Sequence, residues 1–277
     1  MKFSLAALAL LATSAIAAPS SRSRLEERLA QRAAGLRRTQ PLQRVGSTVE
    51  PANPDSVESP TATETQYSSN WAGVVIENPP AGTFTAVSAT FTVPKPTHAS
   101  GSSGTQSASA WVGIDGDTAG NSILQTGIDF SASSGGGVSY DAWYEWYPDY
   151  AYDFSGISFA PGDTVSLSVV SSGKNSGTAV INNLSRGQTV TKKLSSSVAL
   201  QGLNAEWIVE DYQQGSSLVP LVNFGTVTFT NAIAKTSSGQ TVSAYPGGGQ
   251  QIAIRQNNKV YTTISGSGST VTVKYTG

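Results

Sequence analysis

An all-β sandwich of two large antiparallel sheets is the fold this sequence predicts, and three observations carry the prediction. Charged residues make up only 13% of the 277-residue chain. Beyond residue 60, Ser, Thr, Gly and Val dominate while helix-favouring Lys, Glu, Met and Leu are sparse. Short alternating runs recur there between Gly, Ser, Asn and Pro, with no helical period among them. Antiparallel strands with no helices to cover them must bury one face against another sheet.

Taken in order, the chain divides at about residues 18 and 60. Residues 1–18 carry Lys2, the apolar run Phe3 to Ala12 and the small-residue exit Ala15-Ile16-Ala17, the pattern of a secretory signal too short to span a bilayer. A secreted, extracellular protein with no membrane anchor is therefore expected. Residues 19–60 read as a basic prosegment with a Pro-rich linker from Glu50 to Pro60, in which Leu25, Leu29, Ala33 and Leu36 fit a helical stripe. Between residues 20 and 48, seven Arg oppose two Glu, whereas residues 61–277 carry nine Lys and Arg against thirteen Asp and Glu. A basic arm of this kind is expected to lie across an acidic groove at neutral pH as an inhibitor, and to loosen when the carboxylates protonate.

Residues 61–277 form the sandwich domain. Strands are expected at Ser69–Ile76, Ala86–Val93, Ala108–Ile114, Ser122–Phe130, Tyr140–Tyr147, Thr164–Val170 and Thr178–Asn182, then at Thr189–Leu194, Ala205–Tyr212, Gly225–Thr230, Val242–Ala244, Ile252–Arg255 and Thr270–Tyr275. The Gly- and Ser-rich stretch from Lys95 to Ser107 is expected to be an exposed loop open to proteolytic nicking. Asn183-Leu184-Ser185 offers a possible glycosylation site at Asn183. Nothing in the chain demands more than a monomer, a nucleic-acid partner, a cofactor or a metal.

Period-two parity sorts the polar side chains of these strands. In Ala205-Glu206-Trp207-Ile208-Val209-Glu210, Trp207 and Val209 point one way, and Glu206, Ile208 and Glu210 the other. A strand buried on both sides would not carry two carboxylates, so its acidic side is expected to face a groove or solvent. Trp111 falls with Asp115, Gln125 with Asp129, and Glu145 with Trp143 and Tyr147. A face of Trp, Tyr, Asp, Glu and Gln suggests the wall of a substrate groove, with a second buried layer as the alternative.

Several chemistries are closed to this sequence. Without cysteine there are no thiol nucleophiles, thiolate metal sites or disulfides, and a lone His98 in a loop-like run excludes a site built from several imidazoles. Carboxylates, amides and hydroxyls remain. A glycoside hydrolase or lectin-like sandwich using Glu145 and Glu210 stays open on residues alone. Asp115-Gly116-Asp117-Thr118 has the wrong order, and no second copy, for an aspartic-protease loop.

The motifs Ser68-Ser69-Asn70-Trp71-Ala72-Gly73, Trp111-Val112-Gly113-Ile114-Asp115-Gly116-Asp117, Ile123-Leu124-Gln125-Thr126-Gly127, Tyr140-Asp141-Ala142-Trp143-Tyr144-Glu145-Trp146-Tyr147-Pro148 and Asn204-Ala205-Glu206-Trp207-Ile208-Val209-Glu210-Asp211 together resemble those of the fungal glutamic peptidases, the eqolisins. The resemblance covers roughly residues 66–277. It implies a lectin-like sandwich with the active site on the concave face of one sheet, and pepstatin-insensitive acid endopeptidase activity on protein and peptide substrates. By motif, the family's catalytic glutamine and glutamate match Gln125 and Glu210, and its supporting cleft residues match Trp71, Trp111, Asp115, Asp129, Glu145 and Tyr147. What it implies for mechanism is that Glu210 takes a proton from water while Gln125 stabilises the oxyanion, with Asp115, Asp129 and Glu145 orienting the amide.

Overall fold

The computed structural model describes residues 37–46, 65–99, 103–245 and 248–277. The expected signal, the Leu25 to Leu36 stripe, the Pro-rich linker and the centre of the Lys95 to Ser107 loop lie outside these residues. Among the described residues every regular element is a strand, and no helix is long and apolar enough to cross a membrane.

Two sheets face each other. The first has eight strands, running Gln188–Ser195, Ser176–Asn183, Thr164–Gly173, Phe84–Thr92, Thr226–Thr236, Thr270–Tyr275, Thr262–Ser267, with Thr241–Ser243 paired to Thr226–Thr236. The second has nine, running Lys259–Val260, Gln250–Gln256, Trp71–Ile76, Ala205–Glu210, Thr105–Ile114, Ile123–Ser133, Val138–Tyr147, Tyr152–Asp153, with Gln66–Ser68 added parallel to Gln250–Gln256. All other pairings are antiparallel, as expected.

The core between the sheets follows from alternation. Val74, Val112, Leu124, Ile128 and Trp207 from the nine-stranded sheet meet Phe91, Leu167, Ile181 and Phe229 from the other in one apolar cluster. Phe91 and Phe229 pack ring to ring at 5.6 Å. Each such side chain stabilises the fold by about 1.5–3 kcal/mol through the water it leaves.

Several expected strands have other ends: the one expected from Ala108 begins at Thr105, so the expected exposed loop from Lys95 to Ser107 closes earlier, with Gln106 and Ser107 buried in the strand, and two others show why their ends move. Gly225–Thr230 runs on as Thr226–Thr236, because a register shift between Thr230 and Ile233 takes up the left-handed Asn231 and lets pairing resume. Ala205–Tyr212 stops at Glu210, where the Asp211 N–H turns to the Asn70 carbonyl. The Thr262–Ser267 strand has little apolar alternation to announce it, yet pairs along its whole length with Thr270–Tyr275.

Two readings need correcting: that a strand buried on both sides would not carry two carboxylates, and that Asn183 is open to a glycan. All six residues of Ala205–Glu210 are buried, Glu206 and Glu210 included. The strand carries two carboxyl groups inside because the groove in front of Glu210 is filled by another piece of the same chain, residues 37–46. Asn183 is also fully buried, and its amide nitrogen donates to the Ser158 carbonyl and to Asp163. A glycan on that nitrogen does not fit this packing.

Candidate active site

The far face of the nine-stranded sheet holds a second cluster of Trp71, Val75, Trp111, Ile123, Trp143, Ala151, Ile208 and Ile252, against which Tyr147 and Leu42 pack. Parity put Trp111, Trp143, Tyr147 and Ile208 there, and Trp71 joins them. Register then fixes which polar groups are neighbours. One row across the sheet reads Val75, Glu206, Gly113, Gln125, Glu145, and another reads Trp71, Glu210, Ser109, Asp129, Asp141. Between them run Ile208, Trp111, Gly127 and Trp143.

Glu210 is held from both sides. Trp111 donates its indole N–H to Oε2 at 2.9 Å, and the backbone N–H of Gln40 donates to Oε1 at 3.1 Å. The Trp111 ring is itself fixed edge-on against Trp71, with centroids 4.9 Å apart. Burial pushes the Glu210 carboxyl well above its ordinary range; the Gln40 N–H, the Arg37 charge and the Trp111 N–H pull it back, while Glu145 pushes it up further. A carboxyl poised in this way can accept a proton and return it. Gln125 is completely buried, and neither its Nε2 nor its Oε1 has a hydrogen-bond partner among the described residues.

The supporting residues divide by what they touch. Asp129 pairs with the buried Arg37 guanidinium, which also stacks over Tyr212 at 4.0 Å and near Trp143 at 5.3 Å. Burial works against the Arg37 charge, and Asp129 together with Tyr212, Glu145 and Glu210 more than restores it. Glu145 accepts the Thr39 N–H at 3.3 Å and sits in register with Gln125. Trp71 donates to the Gln40 carbonyl at 3.0 Å. Asp115 does something other than orient the amide. In the left-handed region at φ 67°, it accepts the backbone N–H groups of Gln201, Gly202, Leu203 and Asn204 at 2.7–3.3 Å. It thereby ties down the loop that leads into Ala205–Glu210.

Residues 37–46 lie along this face in extended form. Arg37 and Arg38 pair with Gln214 and Gln213, Leu42 N–H donates to the Gly116 carbonyl, and Ser69 N–H donates to the Gln43 carbonyl. Asn70 donates to the Gln40 and Pro41 carbonyls and accepts from Gln43 N–H. At the outer end Arg44 reaches Asp117 at 2.7 Å and Glu77 at 3.0 Å. Sequence reasoning counted these arginines as charge and missed Tyr212 and Asn70 as partners. The one available signal was the excess of acids over bases in the rest of the chain. Among the described residues, no group of three His, Cys, Asp or Glu side chains is placed to hold a metal ion.

Residues 69–275 match the Peptidase A4 family, the eqolisins, to which the chain belongs, and its relatives there are glutamic-type peptide hydrolases. It is 46% identical to aspergillopepsin-2 of Aspergillus niger over 99% of this chain and 100% of that one, and 41% identical to scytalidopepsin B of Scytalidium lignicola over 77% and 80%. The fold matches scytalido-glutamic peptidase bound to a transition-state analogue inhibitor, with a TM-score of 0.66 and 41% identity over 75% of this chain and 98% of that one. Aspergilloglutamic peptidase of Aspergillus niger matches with a TM-score of 0.58 and 52% identity over 62% and 99%. The carbohydrate-active alternative built on Glu145 and Glu210 gives way to this membership.

Proposed function

We propose that this chain is a secreted acid endopeptidase, made as a zymogen, in which Glu210 and Gln125 form the catalytic dyad and residues 37–46 inhibit it. The observation that carries the reading is the position of Glu210: a buried carboxyl, oriented by the Trp111 N–H, with a backbone peptide N–H of an extended segment on its other oxygen. A substrate chain lying in the same groove would bring its own peptide group to that oxygen.

In the reaction, the Glu210 carboxylate removes a proton from water as the oxygen attacks the peptide carbonyl carbon. Gln125 Nε2–H groups stabilise the negative oxygen that develops, and because an amide does not titrate it does so at any pH. Protonated Glu210 then delivers its proton to the departing nitrogen as the C–N bond breaks, and the carboxylate is regenerated. The upward push on Glu210 suits that second step, since an acid held above its ordinary range stays protonated until the amine leaves.

Inhibition follows from the same contacts. Gln40 N–H takes the Glu210 oxygen that would receive the proton of water, Thr39 N–H takes Glu145, and Arg37 neutralises Asp129. Acid protonates the carboxyl groups and weakens all three, which frees the groove. The reading extends to residues 1–18 as the secretory signal and 19–60 as the removable segment.

Hydrolysis of a denatured protein from about pH 2 to about pH 7, with pepstatin throughout, tests the dyad. Acid-limited, pepstatin-resistant cleavage that is abolished by Gln125→Ala and by Glu210→Gln is expected. Activity that survives Glu210→Gln removes the dyad, and a precursor fully active at neutral pH with its arm attached removes the inhibitor.

A further inference from the structure

Glu206 is a fully buried carboxyl to which the chemistry above assigns no step. Neither of its oxygens has a hydrogen-bond partner among the described residues, and the same is true of both polar atoms of Gln125. The two stand in one row of the sheet with Gly113 between them. A Cβ at Gly113 would lie 2.8 Å from Glu206 Oε1, 2.9 Å from the Trp111 ring and 3.3 Å from Gln125 Cβ. The missing side chain is therefore what leaves the carboxyl and the Gln125 side chain facing one common space.

Most of the other polar groups nearby are engaged in hydrogen bonds. Asp115 accepts four backbone N–H groups, the Trp111 N–H goes to Glu210, and Glu145 accepts from Thr39. A buried carboxyl and a buried amide left without partners each cost several kcal/mol by rough estimate, and each supplies what the other lacks.

We propose that Glu206 is a positioning residue for Gln125: as the neutral acid, its O–H donates to Gln125 Oε1, which turns both Nε2–H groups toward the substrate carbonyl. This rests on the reading of Gln125 as the oxyanion donor. An amide held only by packing can present either end, and its oxygen end would repel the oxyanion. The protonation state of Glu206 then decides the orientation. Ionised, it has no proton to give and accepts from Nε2–H instead, which draws the donor away from the substrate.

The surroundings favour the neutral acid. Burial is the largest influence, followed by the charges of Asp115 and Asp117, and both raise the Glu206 carboxyl well above its ordinary range. On Trp71–Ile76 the facing residue is the apolar Val75, on Thr105–Ile114 it is Gly113, and Glu145 lies beyond Gln125 in the same row. Arg44 is paired with Asp117. The two limbs of the activity profile accordingly belong to different residues. The acid limb reports Glu210 losing its proton to become a base, and the alkaline limb reports Glu206 losing the proton that aims the amide.

The test uses the full chain, exposed to acid and then assayed from about pH 2 to about pH 7 on a denatured protein. Glu206→Gln retains a donor at every pH, so kcat in acid is expected within roughly threefold of the parent and the alkaline limb moves upward. Glu206→Leu is near in size and removes a buried carboxyl, and its folding is checked by thermal melting; its kcat is expected to fall about a hundredfold with KM unchanged. Parental kcat in Glu206→Leu, an equal loss in Glu206→Gln, or an unmoved alkaline limb in Glu206→Gln each overturns the proposal. An active Gln125→Ala would sink the dyad itself, whereas an inactive Gln125→Ala beside an active Glu206→Leu sinks only the role of Glu206.

Discussion

Along Ser176–Asn183 every second residue is buried, whereas along Ala205–Glu210 all six are. The first strand belongs to a sheet with water on its outer face, where Thr178, Val180 and Asn182 are half-buried between core residues Ala179 and Ile181. The second belongs to a sheet covered on both sides, by the core behind and by residues 37–46 in front. The same period of two gives a stable wall in one sheet and a dry chemical site in the other. What differs is which residues occupy the outward positions: hydroxyls, which are content in water, or carboxyls, carboxamides and indoles, which change character when water leaves.

The comparison breaks most sharply at the dyad. Glu210→Gln and Gln125→Ala are expected to lower kcat by about a thousandfold or more, while Thr191→Ala on the outer sheet leaves it unchanged, as steady-state kinetics on one protein substrate would record. Next in size is the core that both sheets share. Phe229→Ala should cost about 3–5 kcal/mol in denaturant unfolding through the cavity it opens between the sheets.

Asp211 gives a pH-dependent difference of similar scale. It is buried with Gln256 donating to it at 2.7 Å, and burial raises it from 3.8 to about 7. A carboxyl raised in the folded state favours that state below its unfolded value and loses the benefit as pH rises toward the folded one. Stability is thus expected to decline between about pH 4 and about pH 7, by at most about 4 kcal/mol from this group. Asp211→Asn should flatten the decline in thermal melts taken across that range. A smaller effect is expected at Trp111→Phe, which removes one donor from Glu210: the acid limb of kcat moves upward in pH and activity falls about tenfold. An unmoved limb would mean that the indole N–H does not help to set Glu210.

The sandwich was legible because alternation is a local signal, repeated strand after strand. So was the aromatic and acidic face: Trp111, Gln125, Glu145 and Glu210 were sorted by parity before any contact was known. What could not be read is set by contacts distant in sequence. Asp129 meets Arg37 and Glu210 meets Gln40 across long separations, and no periodicity links such pairs. The same holds for Asp115, whose pattern says only that it follows a strand; its role as acceptor for Gln201 to Asn204 depends on a loop folded back from elsewhere. The burial of Glu206 and Glu210 could not be read from their own strand for this reason; it follows only when the basic arm expected across the groove is laid over it.

Arg44 marks the rim of that cover. Its side chain is 41% exposed while it clasps Asp117 and Glu77, in contrast to the enclosed Arg37 at the other end. An exposed pair is screened by ordinary salt, with a Debye length of about 8 Å near physiological strength, and a sealed one is not. If residues 37–46 are released as proposed, peeling is expected from the Arg44 end first, with Pro41 and Gln40 following. Ionic strength governs how often peeling begins, and proton concentration governs whether it reaches the sealed end. Salt and acid would thus act on two different steps of the proposed release.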